Sequence, residues 1–177
     1  MYVLFDTIKY HKYIMFKKAN LAELMREELP PIAYQKRLCY RTDRDEVVML
    51  YRLINKTIFN NKLIMPEIEV MPRCRKYWGM CYGSHEMPTK SKSYCKIRMM
   101  DKWYCKQWLI NVLAHEMCHQ YQWDVQGLER LNRGKEPIMS HGPSFFVFRD
   151  KLKKHGISLK GSHSKRKWFR YQNLFKA

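Results

Sequence analysis

Apolar residues recur at helical spacing in the stretch that follows residue 42, which predicts an amphipathic helix. Thr42, with Asp45 three residues later, has the spacing of a capping box and predicts the start of this helix. The pair Asn60 and Asn61 predicts its end. The apolar positions of the predicted buried face are Val47, Leu50, Tyr51, Ile54 and Ile58.

Three short stretches after this helix are rich in β-branched, aromatic or other apolar residues. They cover residues 67–72, 77–82 and 94–99 and are too short for ordinary helices. Turn-forming residues separate them, which predicts a small sheet. These residues are Pro66, Pro72, Gly83 and Pro88.

A second helix is predicted within residues 104–126, which contain no proline or glycine. A third is predicted to begin at Pro143, continue through Leu152 and end at Gly156. The order is therefore helix, strands, helix, loop, helix. This order predicts an α+β domain in which the central helix packs on a small, mostly antiparallel sheet.

The central predicted helix carries the sequence His115-Glu116-Met117-Cys118-His119, a His-Glu-x-x-His motif. Residues four apart lie on the same face of a helix, so both imidazoles can bind one Zn²⁺ ion. Glu116 is rotated by about 100° from His115, so it can reach the attacking water without binding the metal. The motif therefore predicts zinc hydrolase chemistry with Glu116 as the general base.

A catalytic zinc ion usually has three protein ligands and one open position, so a third ligand is expected after His119. The long metzincin motif is excluded because Gln122 and Val125 occupy its glycine and third histidine positions. His141 is the favoured candidate, since it lies just before the predicted helix start. Glu129 and Asp124 remain alternatives.

The chain resembles the SprT-like (Spartan/SprT) zinc metalloprotease family over about residues 43–158. The resemblance includes the zinc motif and four further segments. These segments are the opening helix and its Asn-Asn-Lys-Leu turn at 45–63, the strands at 66–70 and 78–83, and His-Gly-Pro-Ser-Phe at 141–145.

The resemblance implies a zincin-like (minigluzincin-type) fold and a zinc metalloprotease. Carried over position by position, it implies that His115, His119 and His141 bind zinc and that Glu116 is the catalytic carboxylate. It also implies a role in DNA-protein crosslink repair. No Cys-x-x-Cys pair occurs among the 6 cysteines, so we expect a compact version without a C-terminal zinc ribbon.

We divide the chain into an N-terminal extension (1–41) that packs on or covers the core, an SprT-like domain (42–158) and a basic aromatic tail (159–177). Scattered cysteines are typical of reduced thiols, and the run Tyr2-Val3-Leu4-Phe5 is too short for a signal sequence. We therefore expect a cytoplasmic monomer that does not bind membranes. It could be of phage or bacterial origin, with the host cytoplasm as its compartment if viral.

The charge balance indicates a polyanionic partner, since 34 Lys and Arg residues against 16 Asp and Glu residues give a net charge of +18. In the tail, basic residues alternate with aromatic residues and no acidic residue occurs. Such a tail can neutralise phosphates and stack on unpaired bases, which favours single-stranded or distorted DNA. The predicted nucleic-acid-binding residues are Lys160, Lys165, Arg166, Lys167, Trp168, Arg170 and Tyr171.

These features together predict a zinc endopeptidase that cleaves nucleic-acid-associated proteins. Two other classes stay open. The chain could be a DNA-binding protein with a structural zinc ion, which a fourth protein ligand such as Glu129 would indicate. It could also be a virion or nucleoid structural protein that packs DNA without turnover.

Overall fold

A computed structural model of the chain describes residues 21, 38, 40–72, 77–83, 89, 91–135 and 140–163. No helix in these ranges is both long and apolar enough to cross a bilayer. The elements are β1 (Tyr40–Arg41), α1 (Arg44–Ile58), β2 (Glu67–Met71), β3 (Gly79–Gly83), β4 (Cys95–Met100), β5 (Lys102–Trp103), α2 (Lys106–Tyr121), a π-helical turn (Gln122–Gly127), α3 (Leu128–Leu131), a 3-10 turn (Phe145–Phe148) and α4 (Arg149–Lys154).

Helix α1 buries the predicted apolar face, but its capping residue differs from the prediction. Asp43 is the N-cap, and its carboxylate accepts a 2.8 Å hydrogen bond from the backbone N–H of Glu46. Thr42 instead donates its hydroxyl to the Glu46 carboxylate at 2.8 Å. The predicted Thr42 and Asp45 capping box is therefore wrong by one residue, because Asp43 is the residue with extended backbone before the first turn.

The three predicted strands form one sheet in the order β2-β4-β3. Strand β4 pairs antiparallel with β3 and parallel with β2, so the sheet is mixed. A separate antiparallel pair joins β1 to β5. Two of the three pairings in the described part of the chain are thus antiparallel, and the predicted α+β class is confirmed.

Helix α2 packs across this sheet and against α1. Every residue from Trp108 to Gln120 is buried, which is typical of a helix enclosed on all sides. Both β3 and β4 form the sheet side of this contact, β3 with Cys81 and β4 with its alternate residues Cys95, Ile97 and Met99. Polar side chains between Trp108 and Gln120 are therefore held away from bulk water.

Leu21 from the N-terminal extension is 2% exposed and belongs to the main hydrophobic core. This is one contact of the extension with the core, and its residues 1–20, 22–37 and 39 lie outside the described ranges. Four cysteines are free and buried, as expected for reduced thiols: Cys81, Cys95, Cys105 and Cys118. The remaining two, Cys39 and Cys74, also lie outside these ranges.

Candidate metal centre

Helix α2 carries His115 and His119 on consecutive turns, and both side chains are buried. Their rings lie 4.9 Å apart between centroids at a steep interplanar angle of 79°. This is the arrangement that the four-residue spacing predicts. The two imidazoles therefore converge on one point beside the helix.

His141 joins this pair from the loop before the 3-10 turn. Its Nε2 atom lies 3.1 Å from Nε2 of His119 and 3.2 Å from Nε2 of His115. Phe145, which is fully buried, packs its ring 4.6–4.8 Å from the centroids of all three imidazoles. The position of His141 thus depends on a phenylalanine that anchors the following turn in the core.

The outer nitrogens of the two helical histidines fix their tautomers. Nδ1 of His115 lies 2.8 Å from the carbonyl oxygen of Lys160, and Nδ1 of His119 lies 3.0 Å from Oε1 of Gln122. These oxygens only accept hydrogen bonds, so each Nδ1 is the donor. In the neutral rings, each Nε2 then presents a lone pair to the centre of the cluster.

The three nitrogens have the spacing of ligands on one metal ion. Nε2 of His141 can donate at most one hydrogen bond, so its two short contacts cannot both be hydrogen bonds. Two nitrogens bound to one zinc at roughly 2.0–2.1 Å in tetrahedral geometry lie about 3.4 Å apart. The observed separations of 3.1 and 3.2 Å are close to this value, so the residues fit a zinc ion.

Neither alternative third ligand lies in this cluster. The Asp124 carboxylate accepts hydrogen bonds from Ser93 Oγ at 2.6 Å, Tyr94 N at 2.9 Å and Gln120 Nε2 at 2.8 Å. Glu129 is an exposed residue of α3. Within the described ranges, the structure brings His141 to the two helical histidines and leaves both carboxylates elsewhere.

Glu116 points from α2 towards strand β3. Its Oε2 atom accepts a 2.7 Å hydrogen bond from the backbone N–H of Cys81. The close approach of β3 requires a glycine, because a Cβ atom at Gly79 would lie 2.8 Å from Val112 Cγ1 and 3.1 Å from Glu116 Cγ. Sequence reasoning missed this anchor, although Gly79 between Trp78 and Met80 was a signal of close packing.

Burial controls the protonation of these groups. It raises the pKa of Glu116 to about 8, and the hydrogen bond from Cys81 N opposes this rise. Burial likewise lowers the pKa of His115 to about 3, with a further contribution from nearby His163. The imidazole is therefore neutral and able to bind a cation, whose charge would in turn lower the pKa of Glu116.

Residues 157–163, here called the C-terminal strap, complete the wall of the cluster. The strap supplies the Lys160 carbonyl to His115, and a Cβ atom at Gly161 would lie 3.5 Å from Cβ of His141. The ring of His163 lies 5.2 Å from that of His115 between centroids. Sequence reasoning assigned Lys160 to nucleic acid and did not find this backbone contact.

The other predicted nucleic-acid-binding residues lie outside the described residues. They are Lys165, Arg166, Lys167, Trp168, Arg170 and Tyr171. Their role therefore remains a prediction.

Gln122 links two parts of the cluster. From the sequence alone, this residue served only to exclude the metzincin motif. Its Oε1 atom accepts the hydrogen bond from His119. Its Nε2 atom donates to the carbonyl of Ser140 and to the hydroxyl of Ser144, both at 2.8 Å. The π-helical turn that begins at Gln122 thus ties His119 to the loop that carries His141, and such turns are frequent at functional sites.

Comparison with protein families matches the SprT-like family over residues 47–165. The fold and the histidine cluster are those of a metalloprotease-type protein. The chain belongs to the SprT-like family, as the resemblance in the sequence indicated. A search of curated proteins gave no match.

The first prediction concerns the identity of the ligands. Purified protein should hold one zinc ion per chain, and His119→Ala or His141→Ala should remove most of it because each takes away one of three nitrogens. Glu129→Ala should keep the metal, since this carboxylate lies outside the cluster. Atomic emission spectroscopy measures the zinc content of each variant. Full zinc in His141→Ala together with loss of zinc in Glu129→Ala would show that Glu129, and not His141, is the third ligand.

The second prediction concerns Gln122. Gln122→Ala should weaken zinc binding by about 10–100-fold, the usual effect of losing a partner that orients a metal-binding histidine. Gln126→Ala is the matched control from the same π-helical turn and should keep the parent affinity. Competition with a chromogenic chelator gives the affinities, and circular dichroism checks that both variants fold. Equal affinities for the two variants would remove Gln122 from the site.

Proposed function

We propose that this chain is a zinc-dependent endopeptidase that cleaves proteins associated with nucleic acid. The observation that carries the proposal is the convergence of three imidazole Nε2 atoms, two of them from a helix that also carries a buried carboxylate held by a backbone N–H. Three nitrogen ligands leave one coordination position open, which is typical of catalytic and not of structural zinc sites.

Zinc is the metal that best fits these donors, because three imidazoles, two of them with tautomers fixed through Nδ1, suit a borderline-soft ion that prefers four ligands. When bound, zinc supplies Lewis-acid chemistry, since it lowers the pKa of water and polarises a carbonyl group. His115, His119 and His141 would hold it. Lys160 and Gln122 would keep the two helical rings oriented through their Nδ1 atoms.

Glu116 is proposed to transfer the proton. The hydrogen bond from Cys81 N fixes Oε2, so we expect Oε1 to accept the proton of the attacking water. The same carboxyl group would return this proton to the leaving amine after the C–N bond breaks. Burial raises the pKa of this carboxyl group, and the charge of a bound cation would lower it again, so the carboxylate can accept a proton near neutral pH and return it afterwards.

The position of strand β3 favours a substrate that binds as an extended peptide. In the described part of the chain β3 pairs only with β4, which leaves it at one edge of the sheet. An extended segment can pair with such an edge through backbone hydrogen bonds. Because Cys81 of the same strand holds Glu116, a bound peptide would lie beside the general base.

The nucleic-acid part of the proposal rests on charge and on the family. The net charge of +18 favours a polyanion, and residues 164–177 of the basic aromatic tail follow directly after the strap. The tail would bring the catalytic domain to single-stranded or distorted DNA in the cytoplasm, or the host cytoplasm for a viral protein. DNA-protein crosslinks as substrates, and a DNA repair role, are proposed by analogy with the family.

The non-catalytic alternatives predict a closed zinc site or no turnover. A fourth protein ligand would close the site, and the group found among the described residues contains three histidines. This favours the enzyme over a structural zinc protein. A virion or nucleoid packing protein remains distinguishable by its lack of cleavage.

The third prediction tests the chemistry. Glu116→Gln should keep zinc and fold but lower cleavage of a DNA-bound protein by at least about 10²–10⁴-fold, because the amide cannot accept the proton. Cleavage is followed by gel electrophoresis with a denatured substrate protein bound to single-stranded DNA. His119→Ala is the companion variant and should lose both zinc and cleavage. A Glu116→Gln protein that cuts at the parent rate would disprove the general-base role.

The fourth prediction tests the tail. The deletion should begin at residue 164, because Lys160 of the strap contacts His115. Deleting residues 164–177 removes five cations, and if about half contact phosphates the slope of log affinity against log salt becomes shallower by roughly 1.5–2. The removed cations are Lys165, Arg166, Lys167, Arg170 and Lys176.

A point variant separates stacking from charge in this tail. Trp168→Ala should weaken single-stranded DNA binding by ~1–3 kcal/mol with little change in the salt slope, because stacking releases no counterions. Fluorescence anisotropy at several salt concentrations gives both quantities, and zinc content serves as the control. A deletion protein with unchanged affinity and slope would show that the tail does not bind DNA.

A further inference from the structure

A basic pocket lies behind Gln122, between the π-helical turn and the turn that follows α3. Its volume is about 260 Å³, which is enough for a phosphate group and part of its sugar. None of its lining residues belongs to the tail. Its lining residues are Gln122, Gln126, Glu129, Arg130, Arg133, Lys135 and Ser144.

The charges around this pocket favour an anion. The lining includes one carboxylate, Glu129, and three cations, namely Arg130, Arg133 and Lys135. The end of a helix contributes a negative partial charge of about half a unit, which opposes an anion. The excess of two positive charges is larger than this, so the balance remains attractive for a phosphate.

The backbone that carries these cations is held in place. Arg133 N and Lys135 N both donate to the carbonyl of Arg130, at 3.0 and 2.9 Å, and Gly134 N donates to the carbonyl of Leu131 at 2.9 Å. Gly134 has a φ of 67°, a left-handed conformation that favours glycine. The turn therefore presents its basic side chains from a defined position.

Gln122 connects the pocket to the metal centre. It lines the pocket and also accepts the hydrogen bond from His119. It donates to the carbonyl of Ser140, the residue before His141. An anion in the pocket would thus lie one side chain away from His119 and from the backbone that precedes His141.

We propose that this pocket binds a backbone phosphate of nucleic acid and so holds the strand beside the metal centre. The inference deepens the proposed function and rests on it for the role of the bound strand. Nucleic acid is favoured over an acidic peptide because the whole chain is strongly basic, and because paired guanidinium groups match the oxygens of a phosphate. A protein attached to that strand would then be close to Glu116.

The test compares two double variants with the same loss of charge. Arg133→Gln with Lys135→Gln removes two exposed cations from the pocket, and Arg52→Gln with Lys56→Gln removes two exposed cations from α1, which does not line the pocket. At about 0.7 per contact, the pocket variant should make the salt slope for an oligothymidine shallower by about 1.4 and weaken binding roughly 25-fold at about 0.1 M salt. The α1 variant should change both much less.

Zinc content and cleavage of a free peptide should stay at the parent level in both double variants, since none of these residues touches the metal centre. Equal salt slopes for the two double variants would overturn the pocket as a phosphate site, even if the parent protein binds DNA well. The proposed protease function would survive that result.

A second measurement tests the pocket without DNA. Inorganic pyrophosphate is titrated into the zinc-loaded parent protein while backbone amide resonances are followed by NMR. We expect shifts centred on residues 130–135, and their loss in the Arg133→Gln, Lys135→Gln variant. Oligothymidine and an acidic peptide are titrated in the same way. Shifts with pyrophosphate but none with oligothymidine would overturn the nucleic-acid assignment. Shifts of residues 130–135 that saturate with the acidic peptide and not with oligothymidine would also overturn it. Absence of shifts with both anions would overturn the site itself.

Discussion

The convergence of imidazole lone pairs is the constraint on which the rest of this structure depends. Two buried Nε2 atoms have no proton to share, because their rings already donate through Nδ1 to Lys160 and Gln122. Such an arrangement is repulsive without a cation and favourable with one. The buried carboxylate of Glu116 has the same requirement, because a nearby positive charge offsets its desolvation. One bound metal ion would therefore stabilise both the ligands and the general base.

The supports of this cluster come from distant parts of the chain. The strap supplies a carbonyl 45 residues after His115, and β3 supplies an N–H 35 residues before Glu116. Phe145 supplies the surface on which the three rings pack. Because these contacts are backbone atoms or a fully buried ring, the geometry depends on correct packing of the whole domain.

The sequence predicts those features that are encoded locally. The 3.6-residue pattern locates α1, the punctuated short runs locate β2, β3 and β4, and the His-Glu-x-x-His spacing places His115 and His119 on one face of α2. The parallel pairing of β2 with β4 and the roles of Cys81 N and Lys160 O have no local pattern, since any residue offers the same backbone atoms. The exact cap of α1 was missed because Thr42 and Asp43 are both good capping residues, and only the backbone conformation decides between them.

Each of the two helical histidines has a hydrogen-bond partner that belongs to a basic region of the chain. His115 is oriented by the strap, which includes the first residues of the basic tail, and His119 is oriented by Gln122, which lines the basic pocket. If nucleic acid binds at both regions, as proposed, it holds the elements that orient the metal ligands. A carbonyl or amide oxygen that is better fixed keeps its imidazole closer to the geometry that the metal requires. Binding to nucleic acid would then favour the metal-binding geometry in addition to bringing the substrate close, and this gives a physical route by which DNA could promote cleavage.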